Sequence, residues 1–190
     1  MKTIIAFIIL ITLTALPATN AYSGNPGDDP AAKGSAIFRF GFGAGIPFYG
    51  SSGFGPAAIY NYDQNAWQAG PGTISLGGQI GSSFFHRDFA FEGHQYISKW
   101  SNVSVVFRSA WHYGWNVPGL DTYAGLGAGA MVTMYNNDGY DSGKKATHYA
   151  FLPVAFAGVS YFFNHVVGVN AECGYNFTYV SAGLTFRLTK

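Results

Sequence analysis

The sequence predicts an all-β protein, an eight-stranded antiparallel up-and-down transmembrane β-barrel, from three observations. Between Thr73 and Lys190, apolar residues repeatedly alternate with small or polar ones, which is the two-residue period of a β-strand. Charged residues make up only 10% of the 190 residues and aromatic residues 18%, whereas soluble domains carry about 25% charged residues. An export signal stands at the N-terminus. These features favour strands with one face toward lipid and the other toward a polar interior.

The N-terminus has the three parts of a secretory signal peptide. Lys2 supplies the positive charge, an apolar core occupies Ile4–Leu16, and Thr19-Asn20-Ala21 offers small residues for cleavage. The core is shorter than the roughly 20 residues that a membrane-spanning helix needs. The following stretch is rich in Gly, Pro, Asp and Ala, which is typical of a flexible segment. The expected parts are a cleaved signal peptide at 1–21, a flexible periplasmic leader at 22–34 and an outer-membrane β-barrel at 35–190.

The first half of the predicted barrel contains four strands. The first strand alternates phenylalanines with Arg39 and glycines, and the second places Tyr60 and Tyr62 on one face. The third sets aliphatic residues against Gln79 and serines, and the fourth sets valines and aromatic residues against Arg108. Segments rich in Gly, Pro and polar residues separate them. The predicted strands are Ala36–Ile46, Ala57–Asp63, Thr73–Phe85 and Ile97–Tyr113, joined by Pro47–Pro56, Gln64–Gly72 and His86–Gln95.

The second half contains four more strands. The fifth alternates alanines with Tyr123 and glycines, whereas the sixth is apolar at both sets of positions, so the pattern does not assign its faces. The seventh sets valines against Asn170 and Glu172, and the eighth sets apolar residues against Tyr179 and Arg187. The predicted strands are Asp121–Tyr135, Thr147–Phe163, Val166–Tyr175 and Tyr179–Leu188, with connections at Trp115–Leu120, Asn136–Ala146, Asn164-His165 and Asn176-Phe177.

The connection lengths indicate an orientation. With the N-terminus in the periplasm, the second and third periplasmic turns are short and the first three outer loops are long and polar. Outer-membrane barrels show the same asymmetry. Most of the predicted strands also reach the roughly 9–11 residues that a tilted strand needs to cross a bilayer.

Three strand motifs are similar to those of a known family. Gly72–Gly78, Leu120–Gly127 and Val180–Phe186 resemble the small eight-stranded outer-membrane β-barrel proteins of Bacteroidetes, which are similar to OmpX and to the transmembrane domain of OmpA. The resemblance covers nearly the whole mature chain. It implies a monomer in the outer membrane of a Gram-negative bacterium, with membrane lipid and the outer-membrane assembly machinery as partners. Phe186 would supply the aromatic residue that this machinery recognises near the C-terminus.

The interior is predicted to hold a polar network. Eight strands make a barrel so narrow that side chains fill it. A buried unpaired charge is costly, so the arginines at the ends of the first and last strands need counter-ions, for which Glu172 and Asp63 are the candidates. The alternative is a gate whose opening passes ions, which would make the protein a small pore. The predicted interior residues are Arg39, Asp63, Gln79, Arg108, Glu172 and Arg187.

An enzyme that modifies lipid, such as a lipid A deacylase or acyltransferase, is a further alternative. Nucleophilic catalysis needs a serine beside a histidine and an acid that orients the histidine. No Gly-x-Ser-x-Gly elbow occurs, so we expect no enzyme and assign no catalytic residue. His112 is expected to be a ring at the membrane interface. The rim candidates are His86, His94 and His148, with Ser82, Ser83, Ser142, Asp88 and Glu92.

The sequence predicts no metal ion, no cofactor and no nucleic-acid partner. The histidines and acids of the second outer loop do not match a closed zinc set, and Cys173 is the single cysteine. The Gly-rich runs lie inside strands and lack the Lys-Ser/Thr of a phosphate loop. A formal charge of +1 provides no basic stripe for phosphates.

The outer loops favour a structural or surface-interaction role, either adhesion or binding. Exposed aromatic rings among Gly, Asn and Asp suit contact with an extracellular protein or glycan, although such rings also anchor barrels at headgroups. A soluble barrel with an apolar interior is disfavoured because its outside would be charged. The predicted loop contacts are Tyr49, Phe54, Phe89, Phe91 and Tyr140.

Overall fold

A computed structural model describes residues 30–45, 55–91, 94–138 and 145–188, with side chains throughout except at 87–91, 94–96 and 137–138. Eight strands pair antiparallel with their chain neighbours, and the first and last pair to close the ring. The predicted all-β class with eight up-and-down strands is therefore confirmed. The described residues contain no helix long and apolar enough to span a bilayer. The strands are β1 Ala36–Gly45, β2 Gly55–Ala69, β3 Gly72–Phe91, β4 His94–Tyr113, β5 Leu120–Asp138, β6 Lys145–Phe162, β7 Val167–Tyr175 and β8 Thr178–Leu188.

Two of the predicted connections are largely strand. Of the predicted turn Gln64–Gly72, only Gly70 and Pro71 lie outside β2 and β3, and Gly70 has the positive φ of 61° that suits glycine in a tight turn. The predicted loop His86–Gln95 continues the β3–β4 ladder as far as the pair Phe91 and His94. Hairpin pairing satisfies backbone groups whatever the side chains are, so polar residues did not end these strands.

The ring has two different ends. We call the end with Ala36 and Leu188 the terminal end, and the opposite end the distal end. Strands β3–β6 are 18 to 20 residues long and extend toward the distal end, whereas β7, β8 and β1 are only 9 to 11 residues long. The four long strands therefore continue past the ring as what we call the extended sheet, made of 84–91, 94–101, 134–138 and 145–154.

Inward-facing and outward-facing side chains alternate along the strands as predicted. The structure also assigns the faces of β6, and it differs from the prediction at Tyr179. In β6, odd-numbered residues such as Phe151 are exposed, and even-numbered apolar residues point inward. The inward set packs as one cluster with residues of β4 and β5, which explains why β6 is apolar on both faces. The cluster consists of Val106, Ala110, Tyr123, Leu152, Val154 and Phe156.

Tyr179 does not face the interior as the alternation predicted. It is 43% exposed because the register between β1 and β8 shifts, so that Gly45 pairs with Thr178 and Ala44 with Val180. The extra residue of such a bulge changes sides.

The predicted flexible leader is packed over its last residues. Ala31 is fully buried against Ile37 and Phe162, whose side chains point into the terminal end of the ring. Gly34 N donates to Asn65 O at 2.8 Å, and Asn65 Nδ2 donates to Ser35 Oγ at 2.8 Å. We call Pro30–Ser35 the terminal stopper, since it covers the interior at this end. Residues 1–29 lie outside the described residues.

Two adjacent glycines provide a test of this packing. A Cβ on Gly77 would lie 2.8 Å from Asp63 Oδ1 and closer still to Tyr62 O, whereas a Cβ on Gly78 would meet only Val106 O at 3.6 Å. We predict that Gly77→Ala lowers the urea concentration at the unfolding midpoint by the equivalent of about 1–3 kcal/mol, as overpacking does.

Tryptophan fluorescence of the protein in detergent micelles measures this midpoint. Gly78→Ala is the matched control, and we expect it to unfold within about 0.5 kcal/mol of the unchanged protein. Equal midpoints for the two variants would contradict the packing described here.

Candidate functional site in the barrel interior

Arg39 of β1 binds two carboxylates inside the ring. Its side chain is fully buried, and its guanidinium donates to Asp63 Oδ2 of β2 and, at 3.2 Å, to Asp121 Oδ2 of β5. Its Nε donates to Ser160 Oγ at 3.2 Å, and the guanidinium lies 4.1 Å from the centre of the Tyr123 ring. Four strands therefore meet at one arginine.

Arg108 of β4 forms the second centre. Its Nη2 donates to Glu172 Oε2 of β7 at 2.8 Å and its Nη1 to Glu172 Oε1 at 3.3 Å, so the pair is bidentate. Its Nε lies 3.4 Å from Asp63 Oδ1, which makes Asp63 the bridge between the two arginines. The guanidinium also lies 3.7 Å from the centre of the Phe156 ring.

Amides and a phenol complete the second centre. Asn176 Nδ2 donates to Glu172 Oε1 at 3.0 Å and to Gln79 Oε1 at 2.9 Å, and Gln79 Nε2 donates back to Asn176 Oδ1 at 2.7 Å. Tyr123 OH donates to Glu172 Oε2 at 3.1 Å. Glu172 therefore accepts from three side chains, which offsets the cost of burying its charge.

The interior is balanced in formal charge. Among the described residues, three arginines and three carboxylates are buried, and the hydrogen-bonded network draws side chains from seven of the eight strands. A network of this kind holds neighbouring strands at fixed register, because removing one member leaves its partner buried and unpaired. The buried charged residues are Arg39, Asp63, Arg108, Asp121, Glu172 and Arg187.

Ser75, His112 and Asp121 form a chain with the order of a catalytic triad. His112 Nε2 lies 3.0 Å from Ser75 Oγ, and His112 Nδ1 lies 2.9 Å from Asp121 Oδ1. All three side chains are buried, so the expected position of His112 at the membrane interface is wrong. The alternation of β4 places it on the same face as Arg108, and its ring is held inside by Asp121 and stacks on Tyr123 at 5.4 Å.

The geometry also shows what this triad lacks. Asp121 is shared with Arg39, and Ser75 lies inside the paired strand β3, not on a turn that would aim backbone N–H groups at an oxyanion. Ser75 and His112 have at most 1% of their surface exposed. Their arrangement orients groups within the packed interior and shows no route for a substrate.

The structure brings together five of the six predicted interior residues. Arg187 is the sixth, and its Nε donates to His165 O at 2.9 Å beside the Phe162 ring. Of the two expected counter-ions, Asp63 pairs with Arg39, whereas Glu172 pairs with Arg108. The five residues in the network are Arg39, Asp63, Gln79, Arg108 and Glu172.

Sequence reasoning missed several members of the network. Asp121 and Tyr123 lie two residues apart on the inward face of β5, so the alternation contained the signal for Asp121. Asn176 carried no such signal, because it was read as part of a turn. The missed members are Ser75, His112, Asp121, Tyr123, Ser160 and Asn176.

The rim residues considered for catalysis do not assemble where they are described. Ser83 is buried inside the ring, where its Oγ accepts from Asn102 Nδ2 at 3.1 Å, whereas His86 is exposed on the opposite face of β3. The described residues hold no cluster of His, Cys, Asp and Glu that could bind a metal ion. Ser142 and Glu92 lie outside the described residues, and the side chains of Asp88 and His94 are not described.

The predicted loop contacts fall on two kinds of position. Tyr49, Phe54 and Tyr140 lie outside the described residues. Phe89 and Phe91 are part of β3 in the extended sheet and not of a loop, because the β3–β4 ladder reaches them.

Comparison with known proteins supports the fold. No family model and no curated protein matches this sequence. Two solved structures that are similar are those of Ail, the attachment invasion locus protein of Yersinia pestis, alone and in complex with the heparin analogue sucrose octasulfate. Both cover 82% of this chain and 99% of Ail, with 13% identity and a TM-score of 0.50 for the first and 12% and 0.46 for the second. At this identity, the likeness to the first structure shows the eight-stranded fold alone.

The ion pair of Arg108 and Glu172 provides a test of the network. We predict that Arg108→Met or Glu172→Met alone costs about 3–5 kcal/mol of unfolding free energy, because each leaves one buried charge without its partner. The double variant removes both charges and should cost clearly less than the sum of the two single changes.

A double-mutant cycle in urea with the folded protein in detergent measures the coupling. Arg187→Met is the matched control, since it removes a buried arginine outside the network, and its effect should add to that of Glu172→Met. Additive effects of Arg108→Met and Glu172→Met would contradict the network.

Proposed function

We propose that this chain is an integral outer-membrane β-barrel protein whose interior is filled by side chains and which acts by surface contact through its extended sheet. The single observation that carries this proposal is the separation of charge, with buried charges inside the ring and an apolar outer face. The parts proposed here are the membrane location, the closed interior and the surface contact.

The outer face supports the membrane location. Among residues with described side chains, the exposed Lys, Arg, Asp and Glu are Lys33, Lys99 and Lys145, which lie in the terminal stopper or toward the distal ends of β4 and β6. On β4 the outward positions from Ser101 to Tyr113 carry no charge and span about 30 Å along the barrel axis at the usual tilt. That covers the apolar band of about 25 Å in outer-membrane barrels.

The packing of the interior supports a closed barrel over the alternative of an ion-conducting pore. The polar network runs through the ring from Asp121 near the terminal end to Asn176 in the β7–β8 connection, and the apolar cluster around Leu152 and Phe156 lies beside it. The terminal stopper covers the terminal end. A pore would require this network to open, with the cost of separating buried charges.

An open strand edge supports surface contact. Residues 145–154 of β6 pair with β5, whereas β7 pairs only with Ala155–Phe162, so among the described residues the distal part of β6 has a neighbour on one side only. Such an edge is a template for another strand, as in strand addition by an extended peptide. The similar structure is that of an attachment invasion locus protein, which agrees with a role in contact between surfaces.

The direction of the open edge follows from Pro153. Proline has no N–H, and it is tolerated in a paired strand where its nitrogen faces away from the partner. Successive residues of a strand point their backbone groups to alternate sides, so odd-numbered residues of β6 share the open side with Pro153. Thr147 and Tyr149 therefore offer N–H and C=O groups to a partner strand.

We infer that the partner is an extracellular protein with an extended segment, or a glycan bound by the aromatic residues near the distal end. Tyr149 is 80% exposed beside the open edge. The other aromatic residues proposed for surface contact, Phe89 and Phe91 of β3 together with Tyr49, Phe54 and Tyr140, would add aromatic surface.

A lipid-modifying enzyme is the second candidate, since Ser75, His112 and Asp121 have the distances of a triad. The buried position and the shared Asp121 favour a structural role. We expect no labelling of the folded protein by a fluorophosphonate probe. Labelling that disappears in Ser75→Ala would favour the enzyme.

The surface role is tested at the open edge of β6. Thr147→Pro removes one N–H from the open side and should leave pairing with β5 intact, whereas Thr147→Val keeps the N–H and serves as the matched control. We predict that cells carrying the protein adhere to at least one of a panel of immobilised extracellular-matrix proteins. Thr147→Pro should reduce this adhesion about tenfold or more, as the loss of an edge contact of roughly 1.4 kcal/mol would.

Equal amounts of folded protein at the surface must be verified for both variants. Adhesion no higher than that of cells without the protein, or equal loss in both variants, would contradict this role.

A further inference from the structure

We propose that a small cleft at the terminal end binds the alkylammonium headgroup of a zwitterionic phospholipid. The cleft, which we call the aromatic cleft, has a volume of about 210 Å³ and lies between the β2–β3 turn and the β4–β5 turn. Pro30 and Pro71 form one side, and Tyr113, Trp115, Asn116 and Val117 form the other. This inference rests on the proposed membrane location.

The turn that forms the cleft has an unusual backbone. Trp115 and Asn116 have φ angles of 53° and 57°, and they are the only residues other than glycine with positive φ in the described part of the chain. A left-handed conformation costs roughly 1–2 kcal/mol for a residue such as tryptophan. A strained backbone of this kind persists where surrounding contacts enforce it and is frequent at binding sites.

Hydrogen bonds hold the strained turn and its ring in place. Trp115 Nε1 donates to Thr122 Oγ1 at 2.8 Å, and Thr122 Oγ1 donates to Tyr113 O at 2.7 Å. Val117 N donates to Gly114 O at 2.9 Å. The indole is thus fixed although 60% of its surface is exposed, which is the condition for a preformed site.

The lining of the cleft selects the charge of the ligand. The described residues that line it include no Lys, Arg, His, Asp or Glu, so they offer a phosphate or carboxylate no counter-ion in exchange for lost water. The rings of Tyr113 and Trp115, which both line the cleft, lie 4.8 Å apart at 60° in an edge-to-face arrangement. Ring faces attract a cation, and alkylammonium groups are bound in this way by aromatic side chains.

The position of the cleft selects the source of the ammonium group. Trp111 stacks on Tyr113 at 5.5 Å along the outward face of β4, and Tyr161 and Phe163 are exposed at the same end of β6. Such rings mark the level where hydrocarbon meets headgroups. The cleft lies just beyond this level on the terminal side, where the outermost group of a zwitterionic lipid is its ammonium.

The test compares lipid retention by the folded protein. The protein is reconstituted into nanodiscs of equal parts phosphatidylethanolamine and phosphatidylglycerol with identical acyl chains, released into detergent, and the retained lipids are counted by native mass spectrometry. We expect preferential retention of phosphatidylethanolamine. Trp115→Ala should reduce the preference about two- to fivefold, the range for an exposed cation–π contact. Trp67→Ala is the matched control, because Trp67 is 53% exposed on β2 near the terminal end but does not line the cleft.

The outcomes separate this inference from the proposed function. Failure to insert into nanodiscs in a folded form would reject the membrane location itself. Insertion with equal retention of the two lipids, or with the same loss in Trp67→Ala, would reject the cleft alone. Displacement of the retained lipid by tetramethylammonium would support the cleft, and displacement by an uncharged oligosaccharide but not by tetramethylammonium would overturn it.

Discussion

The structure depends on where a thin ring of strands can place its charged side chains. Each strand has one outward face and one inward face, and the described outward face is largely apolar, so charges go inside. There they are tolerable only in pairs, and Asp63 joins Arg39 to Arg108 so that both arginines and their carboxylates form one network. Because its members come from seven strands, the network also fixes which strand lies beside which.

The ring and the extended sheet differ in how their strands are paired. In the ring, every strand has two neighbours, and Ala31 of the terminal stopper packs against Ile37 and Phe162 at one end. Beyond the ring, β3–β6 continue while β7 has ended, so β6 keeps an open edge and exposed rings such as Tyr149. This division of closed ring and open edge is the basis of the surface-contact role proposed above.

The sequence predicted most of the fold because alternation is a local signal. It predicted the strand number and the inward positions of Arg39 and Glu172, since a two-residue period needs no knowledge of neighbours. Strand lengths were underestimated, because hairpin pairing carries a polar segment such as His86–Gln95 as far as its partner extends. The alternation did not show which face of β6 points inward, because part of the barrel interior is itself apolar. Partners across the ring, such as Asp121 for His112, depend on the shear of the barrel and have no local signature.

The central claim is that the apolar face points outward into lipid and the charged face inward. The most direct measurement is the mobility of the protein from outer-membrane fractions on a detergent gel, with and without boiling. A barrel held by its interior network and its closed ladder should resist detergent alone and change mobility only after boiling. A soluble periplasmic protein without such a shift would contradict the claim, and the interior would then be the place to look for a ligand.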